Sequence, residues 1–181
     1  MITPRAVLIG PPGSGKSTVA ARLAHEWGVA ARDTDDDVVA ASGREIADIF
    51  VNSGEAAFRE LERAAVLAAL ATHGGVLALG GGAVLDRETQ ADLRGYAARG
   101  GAVVLLNVKL STAARRVGLA KTRPLLAGSP REAWARLMEE RRATYESLAT
   151  VIVETDGLSP REIAARIVGA LGAEATEGVT R

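Results

Sequence analysis

The chain has 181 residues, 48% of them hydrophobic, with Lys+Arg and Asp+Glu balanced at 22 each, 3% aromatic residues and no cysteine. That length builds one domain with a sizeable core, not two. Neutral charge and few aromatics argue against nucleic acid, absence of cysteine excludes disulfides and thiolate chemistry, and no apolar run suggests a leader or a membrane span, so the cytoplasm is the expected location and no membrane partner is expected.

The first apolar run, Arg5–Ile9, leads into Gly10-Pro11-Pro12-Gly13-Ser14-Gly15-Lys16-Ser17-Thr18. This is G-x-x-x-x-G-K-[ST] in its required setting, a buried strand entering a loop and then a helix, and the expected ligand is a nucleoside triphosphate. Gly10, Gly13 and Gly15 let the backbone turn so that successive N–H groups face phosphate oxygens. The helix opening near Lys16 adds its positive end. Lys16 reaches the β- and γ-phosphates, the Ser17 hydroxyl suits Mg²⁺, and Thr18 supports the loop. Trp27 and Trp134 fit helical apolar stripes and read as core or lid-support residues.

Further strands are expected at Ala30–Asp33, Gly75–Leu79, Ala102–Asn107 and Thr150–Glu154, with helices beginning near Lys16, Ile46, Glu55, Arg87, Ser111, Pro130 and Ser159. Such alternation predicts an α/β fold: three layers, α/β/α, around a central parallel five-stranded sheet, with ligands at the carboxyl ends of the strands. Residues 34–70 and 118–129 interrupt the alternation, as insertions for substrate selection and lid closure do. The tail, residues 172–181, is expected to fray.

After the second strand stands Asp33-Thr34-Asp35, followed by Asp36 and Asp37. Read as extended chain, Asp33 and Asp35 share a side. Asp33 then holds Mg²⁺, through water, while Asp35 meets the hydroxyl to be phosphorylated. Helix capping is the competing account, and it is the preferred one for Asp36 and Asp37. Arg59 lies beside an apolar stripe, one turn from Glu62. It reads either as a surface ion pair or as a fork for a substrate carboxylate. Gly80-Gly81-Gly82 closes the third strand, and three glycines exceed what a plain turn needs. Close backbone approach to a ligand, with N–H groups donating, explains them better.

These segments, with Gly54-Glu55, Thr122-Arg123-Pro124-Leu125-Leu126 and Arg141-x-x-x-Tyr145, occur in the order and spacing of shikimate kinases. From Arg5 to about Leu171 the chain resembles that family of small P-loop kinases, similar in fold to nucleoside monophosphate kinases. The resemblance implies transfer of the ATP γ-phosphoryl group to the 3-hydroxyl of shikimate, a step toward chorismate and the aromatic amino acids. It implies Lys16, Asp35 and Arg123 as catalytic residues, with Arg123 on a mobile lid. Ser17 and Asp33 serve the Mg²⁺. Gly13, Ser14, Gly15, Thr18, Arg116, Arg123 and Pro160 join Lys16 and Ser17 around ATP. Asp35, Arg59, Gly80, Gly81, Gly82 and Arg141 bind shikimate. One departure concerns the adenine loop, where Leu158 fills a place that is basic in several relatives. Two alternatives stay open: a kinase of another small hydroxy acid such as gluconate, and a nucleotide-dependent switch without chemistry. No surplus apolar stripe is evident, so a monomer is expected.

Overall fold

The computed structural model describes residues 2–116 and 130–177. Five strands, β1 (Ala6–Ile9), β2 (Ala31–Asp33), β3 (Val76–Ala78), β4 (Val103–Asn107) and β5 (Val151–Glu154), form one sheet in the order β2-β3-β1-β4-β5. Every pairing is parallel. All five expected strands are present, each within a residue or so of its expected ends.

Burial of β1, β3 and β4 on both faces explains why they read as unbroken apolar runs. Alternate side chains serve opposite layers. Val7 and Ile9 join Leu77, Leu79, Val103 and Leu105 in one core, beneath α3 (Ile46–Thr72), α4 (Arg87–Ala98) and α6 (Pro130–Leu148). Leu8 joins Val76, Ala78, Val104 and Leu106 in the other, covered by α1 (Lys16–Trp27) and α7 (Pro160–Glu177). This is the expected three-layer arrangement.

Several local expectations are corrected. α2 (Thr34–Ser42) begins directly after β2, as the capping account of Asp36 and Asp37 requires. Asp33 is its N-cap, with backbone at φ −120, ψ 128 and its carboxylate accepting from the Asp35 N–H. Asp35 therefore sits in a first helical turn with Asp36 and Asp37 and not in extended chain; capping, not strand alternation, brings it beside Asp33. The helices expected to begin near Ile46 and Glu55 are two arms of α3, kinked where Gly54 takes φ 81, ψ 172. A short 3-10 turn covers Ala83–Leu85, and α5 spans Leu110–Arg116. α7 spans Pro160–Glu177. Trp27 is only partly buried, and Arg5 lies 4.3 Å over its ring. No described helix is long and apolar enough to cross a membrane.

Tyr96 ties α4 to the chain's start: its buried hydroxyl donates to the Pro4 carbonyl at 2.9 Å. Burial pushes the phenol from 10.0 up to about 12. The folded state thus favours the protonated phenol, a contribution complete below pH 10 and lost as pH rises toward about 12. In denaturant titrations across this range, wild type should lose on the order of 1–2 kcal/mol more stability than Tyr96→Phe; parallel curves would contradict this.

Candidate active site

At the carboxyl edge of β1 the loop closes under steric control. Gly10 has φ +146, and a Cβ there would lie 2.8 Å from the Leu106 carbonyl oxygen. Gly13 (φ +82) and Gly15 (φ +92) also occupy the left-handed half of backbone space, with Gly15 capping α1. The loop bounds a cavity of about 350 Å³ lined by residues 12–19, Asp33, Asp35, Leu79, Arg116, Pro160 and Ile163. Lys16 folds its ammonium onto the carbonyls of Gly10 (2.9 Å) and Pro11 (3.2 Å). Arg116 bridges the Ser14 carbonyl (3.2 Å) and the Thr155 carbonyl (3.3 Å). Both cations therefore sit on a cavity wall that also carries a helix N-terminus, the setting that anionic phosphates require. Leu158, by contrast, packs against the core under α1 and α7. On this rim it is Pro160 and Ile163 that face the cavity.

The Ser17 hydroxyl donates to Asp33 Oδ2 at 2.5 Å on the same wall. A hydroxyl and a carboxylate are hard oxygen donors, and a small number of them suits Mg²⁺, which keeps waters and phosphate oxygens for its other positions. Among the described residues no group of three or more His, Cys, Asp or Glu side chains forms a cage for a metal. Lost hydration, then repulsion from Asp33, Asp35 and Asp37, raises the Asp36 carboxyl above its ordinary value. The helix N-terminus and the Arg32–Asp37 ion pair at 2.8 Å offset some of this crowding.

Beside the cavity lies the Gly80–Gly82 turn. Each glycine is crowded by protein side chains. A Cβ on Gly80 would lie 2.5 Å from Asp35 Oδ1 and 2.6 Å from Glu62 Oε1, and one on Gly81 would lie 3.1 Å from Pro12 Cδ. A Cβ on Gly82 would overlap the Arg59 guanidinium. Close approach is real, but side chains from α2, α3 and the phosphate loop already account for it. Nor are all three N–H groups open to a ligand, because Gly80 N–H donates to the buried Thr34 hydroxyl at 2.9 Å.

Arg59 pairs with Glu55 at 2.9 Å and with Glu62 at 2.6 Å, so the ion-pair account holds and the guanidinium also faces the turn. Burial pushes the Glu62 carboxyl up, Arg59 and Arg141 pull it down, and Asp35 adds to the rise. The net direction is upward: lost hydration outweighs the pairing. From α6, Tyr145 Oη donates to the Gly81 carbonyl at 2.5 Å and Arg141 approaches the same oxygen at 3.4 Å. The structure thus brings Arg59 and Arg141 to one turn, both close enough to act on Glu62, with Asp35 lining the phosphate cavity as well. Arg123 lies outside the described residues, as do residues 117–129 generally.

Thr34 and Trp134 hold this edge together, and sequence reasoning gave neither that role. Trp134 donates its indole N–H to the Pro12 carbonyl at 3.0 Å. One signal was available: Trp134, Met138, Arg141 and Tyr145 recur at helical spacing, so a single face of α6 addresses both the phosphate loop and the glycine turn.

A parallel sheet with a phosphate loop after β1, a carboxylate after β2 and paired arginines over the third strand end defines a P-loop kinase of small molecules. The shikimate kinase family model matches residues 12–172. A shikimate kinase of Streptomyces avermitilis is 53% identical over 171 residues, covering 94% of this chain and 97% of that one. A shikimate kinase of Acinetobacter baumannii, solved in complex with shikimate, superposes with a TM-score of 0.88 at 28% identity, covering 96% of this chain and 95% of that one. The chain belongs to the shikimate kinase family and is a phosphotransferase. A gluconokinase of Sinorhizobium meliloti, 23% identical with a TM-score of 0.57 and full coverage of both chains, shares the fold alone.

Gly82→Ala tests the crowding of the turn. The obstructing group is the end of a flexible side chain, so Arg59 should move and the fold should survive. Affinity for an acidic acceptor should fall about tenfold or more, the scale of one charge-assisted hydrogen bond, with a melting temperature within about 3 °C of wild type, a shift worth under roughly 1 kcal/mol. Unchanged acceptor affinity would refute it.

Proposed function

We propose that this chain transfers the γ-phosphoryl group of ATP to the 3-hydroxyl of shikimate, with Mg²⁺ held by Ser17 and, through water, by Asp33. The observation that carries the reading is the position of Asp35, which lines the phosphate cavity and also flanks Gly80 beside Glu62. It is the carboxylate common to both halves of the site. A hydroxyl bound over the glycine turn meets Asp35 as the group that orients it and accepts its proton.

The acid end of shikimate is proposed to lie between Arg59 and Arg141, whose guanidinium groups suit a carboxylate fork better than lysine would. Arrival of that anion supplies a third partner for Arg59, now held by Glu55 and Glu62. At the other end, the phosphates draw Lys16 off the Gly10 and Pro11 carbonyls and accept N–H groups of residues 13–18. Bound Mg²⁺ supplies positive charge to the phosphate oxygens. Arg123, which lies outside the described residues, is proposed to offset the charge that builds up during transfer. Arg116 and Pro160, both on the cavity rim, are assigned to the adenine. Of the exposed large apolar side chains, Ile2 precedes β1, Val51 and Leu67 sit on the two arms of α3 either side of the Gly54 kink, and Ile152 is on β5, a distribution that supports a monomer.

The test is an ADP-release assay with MgATP. Shikimate should stimulate release and gluconate should not, while Asp35→Asn should lower kcat by about 10²-fold or more with ADP affinity within about threefold, as loss of a proton acceptor predicts. Stimulation by gluconate alone would replace the proposed acceptor. Folded protein with no acceptor-dependent release would leave the non-catalytic switch, and an Asp35→Asn variant at wild-type kcat would remove Asp35 from the chemistry.

A further inference from the structure

Between Pro12 and Gly13 the phosphate loop has an unusually free peptide plane. Flipping a peptide rotates ψ of the first residue and φ of the second. Proline fixes its own φ but not its ψ, and Gly13, at φ +82, tolerates either sign of φ. The bond is trans, so the Pro12 carbonyl and the Gly13 N–H point in opposite directions. Whatever holds the carbonyl away from the cavity also aims the amide into it.

The neighbouring loop carbonyls of Gly10, Pro11 and Ser14 accept from Lys16 and Arg116, and that of Pro11 also from the Ser14 N–H at 3.2 Å across the Pro12–Gly13 turn. Both are flexible cations on the wall of the cavity, available to an incoming polyanion. The Pro12 carbonyl is held differently: its donor is the indole N–H of Trp134, 5% exposed and packed in the core formed with α6. That donor carries no charge and has no reason to leave when phosphate arrives.

We propose that Trp134 is a positioning residue for the nucleotide: its indole N–H locks the Pro12–Gly13 peptide so that Gly13 N–H stays aimed at the phosphate site. The inference rests on the phosphate-binding reading of the loop. Through Gly13 it places one determinant of nucleotide affinity on α6. Lost N–H donation lets the plane flip in the free protein, and nucleotide binding then has to reverse the flip.

The test replaces Trp134 in the full chain with 3-benzothienylalanine, which keeps the ring shape and deletes the N–H, alongside Trp134→Phe as the encoded counterpart. Calorimetric titration with MgADP should show affinity about threefold to tenfold weaker for the isostere, the span of one neutral hydrogen bond, with Trp at this position restoring it. Shikimate titrated without nucleotide should bind within about twofold of wild type, because Tyr145 and Arg141 hold the Gly81 carbonyl without Trp134. ADP affinity equal to wild type in the isostere overturns the proposal. So does a parallel loss of shikimate affinity, which would mark general loosening of α6. Failure of wild type to bind MgADP would instead defeat the nucleotide reading itself.

Discussion

The site depends on a turn that has no side chains. Gly80, Gly81 and Gly82 leave a strip of bare backbone at the end of β3. Asp35 with Glu62, the Pro12 ring, and Arg59 each occupy the space a Cβ on one of these residues would need. Any larger residue at Gly80 would force apart two carboxylates on different helices. At Gly80 one displaced group is the buried Glu62, which has less slack than the flexible Arg59 end beside Gly82. The turn therefore lies between the phosphate loop, through Pro12, and the side chains of Asp35, Arg59 and Glu62.

Charge is arranged around that strip with equal care. Glu62, 3% exposed, sits among Arg59, Arg141 and Asp35. A buried carboxylate is tolerable only when paired. Here Arg59 supplies the pairing, and Glu62 in turn keeps Arg59 oriented toward the turn. Arg59 meanwhile gains more from its acidic neighbours than it loses by burial, so its charge is secure. An organised, permanently charged guanidinium costs less to align when an acid arrives than a solvated one would.

The sheet was legible because buried parallel strands write themselves as short apolar runs, and the phosphate loop because its glycines and Lys16 follow such a run directly. The resemblance to shikimate kinases located the remaining site segments. What escaped was local or long-range in character. The helix after Asp33 was legible only through the capping account of Asp36 and Asp37; that it takes in Asp35 was not, because its cap is itself one of the acidic residues that looked catalytic, and four consecutive polar residues show no apolar period. Sequence also does not reveal which side chains crowd the three glycines, here Asp35, Glu62, Pro12 and Arg59. The Thr34–Gly80 and Trp134–Pro12 hydrogen bonds join residues 46 and 122 positions apart, and no local pattern encodes them.

The central claim is that two arginines from different helices hold a carboxylate over the glycine turn, and it is tested most directly by comparing shikimate with its carboxamide. Calorimetry on the wild-type chain should show the amide binding at least about tenfold more weakly, since each charge-assisted hydrogen bond lost is worth roughly 1.5–3 kcal/mol. Equal affinity for acid and amide would contradict the account.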